Sequence, residues 1–202
     1  DTPTFEELLI FAFLFGDPHL VTLDGVAYDF QAGGDYLLTR AVSGDPFEVQ
    51  VRLEPLSDAV SVIAAVATEI DGRAVSFDYG DPAAGGVLRI DGAVTPLPAD
   101  AGSLAIGTGS LTRADNMLTF THPSGETLAV RIGSSFLDVG VGLDQTRAVG
   151  SFEGLLGNFD GRRANDLALA DGTSLGTSPT RETLYGDFAQ AWQVDTASAL
   201  LP

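Results

Sequence analysis

The 202-residue chain contains no cysteine. This absence excludes disulfide bonds, thiolate catalysis, iron–sulfur clusters and cysteine-ligated zinc sites. It leaves the cellular compartment open, because exported bacterial proteins often lack cysteine. Histidine is scarce too, with two residues in the whole chain. Two histidines leave little room for a catalytic triad or a zinc enzyme, and the sequence also lacks a glycine-rich phosphate-binding loop with lysine.

Basic residues are few. The chain has 10 Lys and Arg against 28 Asp and Glu, which gives a net charge of −18 and a sequence pI of about 4.1. Such a charge repels nucleic acid and anionic membranes, and it favours solubility and cation binding. We therefore expect no nucleic-acid partner. We also expect an extracellular protein, either secreted or exposed at a cell surface.

Long hydrophobic runs are missing as well. The longest uninterrupted apolar stretch extends from Leu8 to Phe15, and it is too short to cross a bilayer as a helix. No basic region precedes it, so it does not resemble a signal peptide. We predict no membrane insertion. Residues 1–15 form an apolar segment that precedes the main domain. It is either a strand or a helix docked on the domain, or the tail of a preceding domain.

Short runs of alternating residues dominate the rest of the chain. From Phe47 to Glu54, apolar residues at odd positions alternate with Glu, Gln and Arg at even positions, which is typical of a strand with one buried face. Asp-Gly and Ser-Gly pairs separate such runs, and no long helical period occurs. We predict an all-β fold, an antiparallel β-sandwich or distorted barrel with little helix. Further predicted strands include residues 27–30, 36–42, 60–70, 74–79, 86–90, 118–121, 127–132 and 136–141.

One segment concentrates oxygen ligands of the kind that bind metals. In Asn158-Phe-Asp160-Gly161-Arg-Arg-Ala-Asn165-Asp166, two amides and two carboxylates lie close together in sequence, and Gly161 allows a sharp reversal. Oxygen ligands without a nearby His or Cys favour a hard cation such as calcium over zinc or copper. The spacing does not match an EF-hand. The spacing alone leaves two interpretations open, a calcium site and an ordinary turn, since Asn, Asp and Gly dominate turns.

Three separated segments carry recognisable motifs. The first comprises Gly16-Asp17-Pro18-His19, Thr22-Leu-Asp24-Gly25 and Tyr28-Asp-Phe30; the second comprises Gly154-Leu-Leu-Gly157-Asn158-Phe-Asp160-Gly161 and Asn165-Asp166-Leu167; the third is Tyr185-Gly-Asp-Phe-Ala-Gln-Ala-Trp192. Together, and in this order, they resemble the von Willebrand factor type D domain over about residues 16–194. The chain looks like a cysteine-free member of bacterial type. Leu156 stands where animal members have cysteine, so disulfide-linked multimerisation does not carry over.

The resemblance implies a calcium site that joins the beginning of the domain to the later loop. Calcium usually takes six to eight oxygen ligands. Carried over position by position, the side-chain ligands are Asp24, Asn158, Asp160, Asn165 and Asp166, with a backbone carbonyl near Arg162 as a further ligand. In a chain without disulfides, such an ion would hold two distant segments together.

The Asp17-Pro18 bond is the one place where we expect covalent chemistry. The Asp17 carboxylate can attack its own carbonyl carbon to form a cyclic anhydride and expel the proline nitrogen once that nitrogen is protonated. His19 is the nearest proton source, and Gly16 lets the backbone bend. The same four residues occur in family members that cleave themselves, including certain mucins and repulsive guidance molecules. The resemblance therefore implies self-cleavage, after which water or an amine takes the Asp17 anhydride.

A structural interpretation of the same motif stays open. Asp-Pro also occurs at Asp45-Pro46 and Asp81-Pro82, where each pair is typical of a turn. Many family members keep the motif without cleaving, and His19 could instead hydrogen-bond to the backbone. The sequence thus predicts a calcium-stabilised structural and interaction module of a larger secreted or surface protein, with self-cleavage as an added activity. The alternative is a purely structural adhesin domain without cleavage, and no conventional turnover enzyme is expected.

The expected organisation has three parts. Residues 1–15 precede the domain, residues 16–194 form it, and residues 195–202 are a C-terminal tail. The binding partner is expected to be a protein or a glycan.

Overall fold

The computed structural model describes residues 9–16, 18–57, 59–80, 85–144 and 146–202, with side chains from residue 12 onward. Within these ranges the chain forms two antiparallel β-sheets, a single 3₁₀ turn (Arg163–Asn165) and a short helical segment near the C-terminus. The sheets pack face to face around a shared apolar core. The predicted all-β sandwich with little helix is confirmed.

Sheet A has eight strands. In spatial order they are β10 (Ser103–Ile106), β11 (Gly109–Ala114), β12 (Met117–Thr121), β13 (Thr127–Ile132), β14 (Leu137–Asp144), β1 (Leu9–Phe15), β2 (His19–Val21) and β3 (Ala27–Asp29). Strand β1 pairs with β14 on one side and with β2 on the other. The apolar N-terminal segment is therefore an interior strand of the sandwich from Leu9 onward, while residues 1–8 lie outside the described part of the chain.

Sheet B has seven strands. In spatial order they are β15 (Phe152–Glu153), β4 (Gly34–Ala41), β5 (Glu48–Pro55), β6 (Ser61–Ile70), β7 (Arg73–Asp78), β8 (Val87–Ile90) and β9 (Ala93–Thr95). The alternation along β5 directs Val49, Val51 and Leu53 into the core, where each is at most 1% exposed. These three residues face the core as the sequence pattern predicts, while Gln50 on the opposite face of β5 is buried too.

Asp-Gly pairs close two hairpins of sheet B. Asp71 and Asp91 have φ angles of 53° and 51°, and each is followed by a glycine that also has positive φ. Two successive residues with positive φ form the turn whose twist matches the flanking strands. The turn residues in the sequence thus locate the β6–β7 and β8–β9 connections.

The helical segment begins after Thr180, whose hydroxyl accepts a hydrogen bond from the Thr183 backbone N–H at 3.2 Å. It comprises α1 (Arg181–Thr183), a π-helical turn (Leu184–Phe188) and α2 (Ala189–Trp192). Trp192 is 6% exposed, and its indole N–H donates to the carbonyl of Ala168 at 2.9 Å. The segment packs its aromatic side chains onto the core beside β4. None of the described helices is long and apolar enough to span a membrane.

Residues 195–202 lie on the outer face of sheet B. Gln50, a β5 residue that is 1% exposed, donates to the carbonyl of Ser198 at 2.8 Å and accepts from the Leu200 N–H at 2.8 Å. Leu201 is 6% exposed and packs against Ala65 and Ala67 of β6. The C-terminal tail is thus docked through both backbone and side chain.

Candidate calcium and processing sites

Asp24 lies in the turn that follows β2, where the Gly25 N–H donates to the Thr22 carbonyl at 3.0 Å. One carboxylate oxygen of Asp24, Oδ2, accepts hydrogen bonds from the backbone N–H groups of Asp160 and Gly161, each at 3.0 Å. The two segments also share a backbone bond, in which the Leu23 N–H donates to the Leu156 carbonyl at 2.9 Å. Tertiary folding therefore brings Asp24 against the loop that contains the other predicted ligands.

The loop between Asn158 and Asp166 is closed by its own polar groups. The Asp160 N–H also lies 3.2 Å from the side-chain oxygen of Asn158, and the Asp160 carboxylate accepts from the Arg162 N–H at 2.8 Å. The Asn165 amide donates to the other Asp160 oxygen at 2.7 Å. The Arg162 carbonyl, predicted as a metal ligand, accepts the Asn165 N–H at 3.2 Å. The predicted ligands Asn158 and Asn165 thus lie within hydrogen-bonding distance of Asp160.

Asp166 is the buried member of the set, with 2% of its surface exposed. Its Oδ2 accepts a short hydrogen bond from the Thr22 hydroxyl. Its Oδ1 is enclosed and has no hydrogen-bond partner among the described residues, and the same holds for the side-chain oxygen of Asn165. Buried carboxylate oxygens are normally paired. Two enclosed oxygen atoms are therefore available to a ligand.

Thr22 is a site residue that the sequence analysis missed. It orients Asp166 through its hydroxyl, and the same oxygen accepts the Val26 N–H at 2.8 Å. The available signal was its place in the Thr22-Leu-Asp24-Gly25 motif, two residues before a predicted ligand. Gly157 is a second residue whose role at the site the sequence did not reveal. A Cβ at Gly157 would collide with Oδ1 of Asp166, so this glycine makes room for the buried carboxylate.

Burial raises the pKa of Asp166 to about 6. The negative charges of Asp24 and Asp160 also raise this pKa, whereas the hydrogen bond from Thr22 and the nearby backbone N–H of Asn158 lower it. The Tyr28 ring lies nearby, and its hydroxyl donates to the Leu155 carbonyl at 2.6 Å. Burial, together with the charge of Asp166, holds the pKa of Tyr28 well above its ordinary value. The electrostatic environment of the loop therefore favours the uptake of positive charge.

The donor set fits a hard cation in its chemistry. Carboxylate and amide oxygens are typical calcium ligands. Within the described ranges, no three side chains of the Asp, Glu, His or Cys type form a group that could hold a metal ion. The Asp24 and Asp160 carboxylates instead accept backbone and amide N–H groups, while the nearby Arg163 donates to the carbonyls of Asp24 and Gly25. Metal binding would require these carboxylates to exchange N–H donors for the ion.

The second predicted site begins at Gly16, and Asp17 itself lies outside the described residues, as does the Asp81-Pro82 pair. Gly16 has a φ of +52°, and its N–H donates to Oδ1 of Asp138 at 2.9 Å. The carbonyl of Pro18, which is buried, accepts the Phe30 N–H at 2.9 Å. The backbone is thus anchored on both sides of Asp17.

His19 starts β2 and faces Asp29 of β3 directly across the strand pair. Its Nδ1 lies 2.5 Å from Oδ1 of Asp29, and the two side chains are 54% and 68% exposed. Both also line an open cavity of about 500 Å³, which Arg181 lines as well. The geometry gives His19 a carboxylate partner and contact with solvent.

Comparison with known proteins agrees with the motifs. The family model for the von Willebrand factor type D domain matches residues 13–173. The chain is 35% identical to human IgGFc-binding protein over 168 residues, which is 80% of this chain and 3% of that protein. It is 30% identical to human Sushi domain-containing protein 2 over 196 residues, covering 93% of this chain and 23% of that protein.

Human Mucin-4 shows 25% identity over 226 residues, covering 94% of this chain and 4% of the mucin. The chain thus spans less than a quarter of each of these relatives. The IgGFc-binding protein, Mucin-4, SCO-spondin and alpha-tectorin relatives are secreted or extracellular matrix proteins, which confirms the predicted extracellular location. With a family match that covers most of its length, the chain belongs to the von Willebrand factor type D domain family.

Proposed function

We propose that this domain is a calcium-stabilised extracellular module, in which the ion joins the turn after β2 to the loop after β15. The ligands are the carboxylates and amides of Asp24, Asn158, Asp160, Asn165 and Asp166. The observation that carries the proposal is the enclosed Oδ1 of Asp166, a buried carboxylate oxygen without a hydrogen-bond partner among the described residues. Its neighbours Asp24 and Asp160 add negative charge rather than neutralise it.

Calcium would supply the positive charge that these carboxylates share. The two segments belong to different sheets, since β2 lies in sheet A and β15 in sheet B. A ligand that binds only the folded state stabilises that state by mass action. The ion therefore acts as a cross-link between the sheets in a chain that has no disulfides.

The test compares the thermal unfolding midpoint in excess calcium and in excess chelator. We expect the midpoint to rise with calcium concentration for the wild type and to lose this dependence in Asp166→Asn. Asp171→Asn is the matched control, because it removes the same charge from an exposed side chain close by in sequence. A metal-free wild type whose unfolding midpoint is unaffected by calcium would exclude the proposal.

Self-cleavage at Asp17-Pro18 is the second candidate function. It is favoured by the backbone bend at Gly16, where φ is +52°, and by the His19–Asp29 pair one residue beyond Pro18. In the reaction, a carboxylate oxygen of Asp17 bonds to the carbonyl carbon of the same residue, and the bond from that carbon to the Pro18 nitrogen breaks. The nitrogen leaves with a proton, for which His19 is the source. Water opens the anhydride to an aspartate, or an amine opens it to an amide.

Intact mass after incubation between mildly acidic and neutral pH tests this second function. We expect a fragment that begins at Pro18, and we expect none from Asp17→Ala. A wild type that stays intact under all these conditions, with and without calcium, would leave the domain as a purely structural module. Mass spectrometry with an added primary amine would detect covalent transfer of the Asp17 fragment.

The proposed binding of a protein or glycan partner rests on the extracellular location of the domain and on its similarity to extracellular proteins. An extracellular domain with a net charge of −18 is expected to contact a protein or a glycan rather than nucleic acid. Binding to an array of extracellular proteins and glycans, with nucleic acid as the comparison, would test this expectation.

A further inference from the structure

Loops from both sheets surround a cavity of about 350 Å³. They are the connections between β4 and β5, between β6 and β7, and between β12 and β13. The wall of the cavity includes Asp45, Pro46, Glu69, Asp71, His122 and Pro123. We call this cavity the acidic pocket, because three of its side chains are carboxylates and, among the described residues, no arginine lines it.

Two of these carboxylates are unpaired within the described part of the chain. Asp45 and Glu69 are exposed, and neither makes a hydrogen bond or an ion pair with a described residue. Asp71 is exposed as well, and its Oδ2 accepts the Thr108 backbone N–H at 3.0 Å. The negative charge of the acidic pocket is therefore not balanced by an ion pair within the described ranges.

A buried histidine adds a further acceptor to the wall of the pocket. His122 is 3% exposed. The Thr68 hydroxyl donates to the Glu48 carbonyl at 2.6 Å, so it accepts from Nε2 of His122 at 2.9 Å, and the proton of the neutral ring is on Nε2. The His122 side chain makes no other hydrogen bond with a described residue. The lone pair of Nδ1 is therefore left as an unpartnered acceptor at the pocket wall.

The charged and imidazole groups of the acidic pocket are all acceptors, so its ligand must be a donor with positive charge. The acceptors do not converge on one point, because no three Asp, Glu or His side chains within the described ranges form a group that could hold a metal ion. A guanidinium presents five N–H donors along the edges of a plane and can reach several separated acceptors at once, whereas an ammonium is a compact point charge. The distribution of acceptors thus favours a guanidinium.

We propose that the acidic pocket binds an arginine side chain of an extracellular protein partner. The inference rests on the proposed binding of a protein or glycan partner and specifies that partner. The exposed rings of Pro46 and Pro123 supply apolar surface for the alkyl part of the arginine, while the guanidinium lies among the carboxylates and donates to Nδ1 of His122. Neutral glycan hydroxyls would bring no charge to these carboxylates, and a second copy of the chain would bring a net charge of −18.

A second cavity, of about 390 Å³, adjoins the acidic pocket and shares Pro46 and Glu69 with it. Arg40 lines this second cavity, but it is already paired with Glu153, and its Nη1 lies 3.9 Å from a carboxylate oxygen of Glu48. The two cavities together give room for the arginine and for the residues that flank it in the partner. The binding site is therefore a short groove with one charged pocket.

The first test titrates N-acetyl-arginine amide into the isotope-labelled wild type, with calcium present throughout so that a divalent ion competes for the carboxylates. N-acetyl-citrulline amide is the control probe, because it has the same shape without the charge. We expect the Gly72 and Ser124 amide resonances, which belong to residues of the pocket wall, to shift with the arginine probe alone. For a single side chain we expect a Kd on the order of 1 mM.

The nitrogen resonances of His122 test the contact with the imidazole directly. The chain has two histidines, so their ring signals can be assigned without ambiguity. A hydrogen bond from the probe to the unprotonated Nδ1 should shift the resonance of this nitrogen, while that of Nε2, which donates to Thr68, should change little.

The second test uses variants of the pocket wall. Glu69→Gln and Asp45→Asn should each weaken binding of the arginine probe, by up to roughly fivefold for an exposed ion pair. Glu54→Gln is the matched control, because it removes the same charge from an exposed residue at the end of β5 opposite to Glu48, and we expect it to bind like the wild type. Thermal unfolding of all three variants verifies that they are folded.

Three outcomes would overturn the inference. Equal shifts with the citrulline probe would show that charge does not determine binding. Shifts that are spread over the surface and unchanged by Glu69→Gln would show general attraction to an acidic protein. Equal binding of glucosamine would point to a glycan partner instead. If a variant with both Asp45→Asn and Glu69→Gln keeps the extracellular partners of the wild type, the interaction role stands and its contact lies on another surface.

Discussion

Gly157 lies against Asp166 so closely that a Cβ at residue 157 would collide with Oδ1 of the buried carboxylate. Gly157 also has a φ of +82°. The glycine thus meets two requirements, one of backbone conformation and one of space. Only the second concerns the candidate calcium site, so the two can be separated by experiment.

Gly157→Ala should destabilise the domain and abolish its response to calcium. The left-handed backbone costs an alanine roughly 1 kcal/mol, and overpacking typically adds about 1–3 kcal/mol. Gly172→Ala is the matched control, because Gly172 has a φ of +85° while its Cβ would meet no described atom within 4 Å. Urea unfolding with and without calcium measures both effects. Equal losses of unfolding free energy in the two variants would show that the contact with Asp166 is unimportant.

His122 should make the stability depend on pH. Burial lowers its pKa from 6.5 to about 4, with Glu126 opposing and Arg147 adding to the effect. The Thr68 hydroxyl donates to the Glu48 carbonyl at 2.6 Å, so it accepts from Nε2 of a neutral His122 at 2.9 Å. The Phe47 ring packs edge-on against the imidazole at 4.6 Å.

The folded state therefore binds the His122 proton more weakly than the unfolded state. The contribution of neutral His122 to the free energy of unfolding is fully present above pH 6.5. It is lost as the pH falls from 6.5 to about 4. The loss amounts to about 3 kcal/mol. The difference in unfolding free energy between wild type and His122→Asn, measured across this range, isolates the effect from that of the carboxylates. A difference that does not vary with pH would contradict it.

The buried ion pair between Arg147 and Glu126 should contribute more to the free energy of unfolding than an exposed ion pair does. The two side chains are 8% and 0% exposed, and Arg147 also lies 5.6 Å from the centroid of the Phe152 ring. Arg147→Ala leaves an unpaired buried carboxylate, which typically costs about 3–5 kcal/mol. Arg73→Ala is the control, because the Arg73–Asp91 pair is 46% and 51% exposed, and we expect it to cost less than about 1 kcal/mol. Chemical denaturation compares the two.

The docked C-terminal tail should contribute to stability through Leu201. This side chain is 6% exposed against β6, whereas Leu56 is 66% exposed. Leu201→Ala should therefore lower the unfolding free energy by about 2 kcal/mol, and Leu56→Ala should change it by less than about 0.5 kcal/mol. If Leu201→Ala has no effect on thermal unfolding, the tail is not held as the structure indicates.

Much of the fold could be predicted because β-strands and tight turns have characteristic local sequence patterns. Alternation along β5 and the Asp-Gly turns identified strands and hairpins, since a strand with one buried face has a period of two and these turns need positive φ. For β1 the sequence left a strand and a helix open. Its residues are apolar at every position, because Ala12 and Leu14 enter the core on one face while the other face carries the stacked rings of Phe13 and Phe15. The sequence therefore shows no period.

The candidate ligands were predicted in part from spacing and in part from the family resemblance. Asn158, Asp160, Asn165 and Asp166 lie within one loop, so local sequence sufficed to group them. No local pattern joins that loop to Asp24, and none shows that Thr22 orients Asp166. The processing site stays a prediction, because Asp17 lies outside the described residues.

The sequence by itself determined the all-β class, the hairpin turns and the absence of disulfides, because alternation, turn residues and cysteine content are local properties of the chain. The tertiary structure decided which oxygen atoms are buried and which carboxylates are neighbours. These properties arise from contacts between residues distant in sequence, such as the bond from Thr22 to Asp166. Burial and electrostatic interaction depend on those distances in space, and no single segment of the chain contains them.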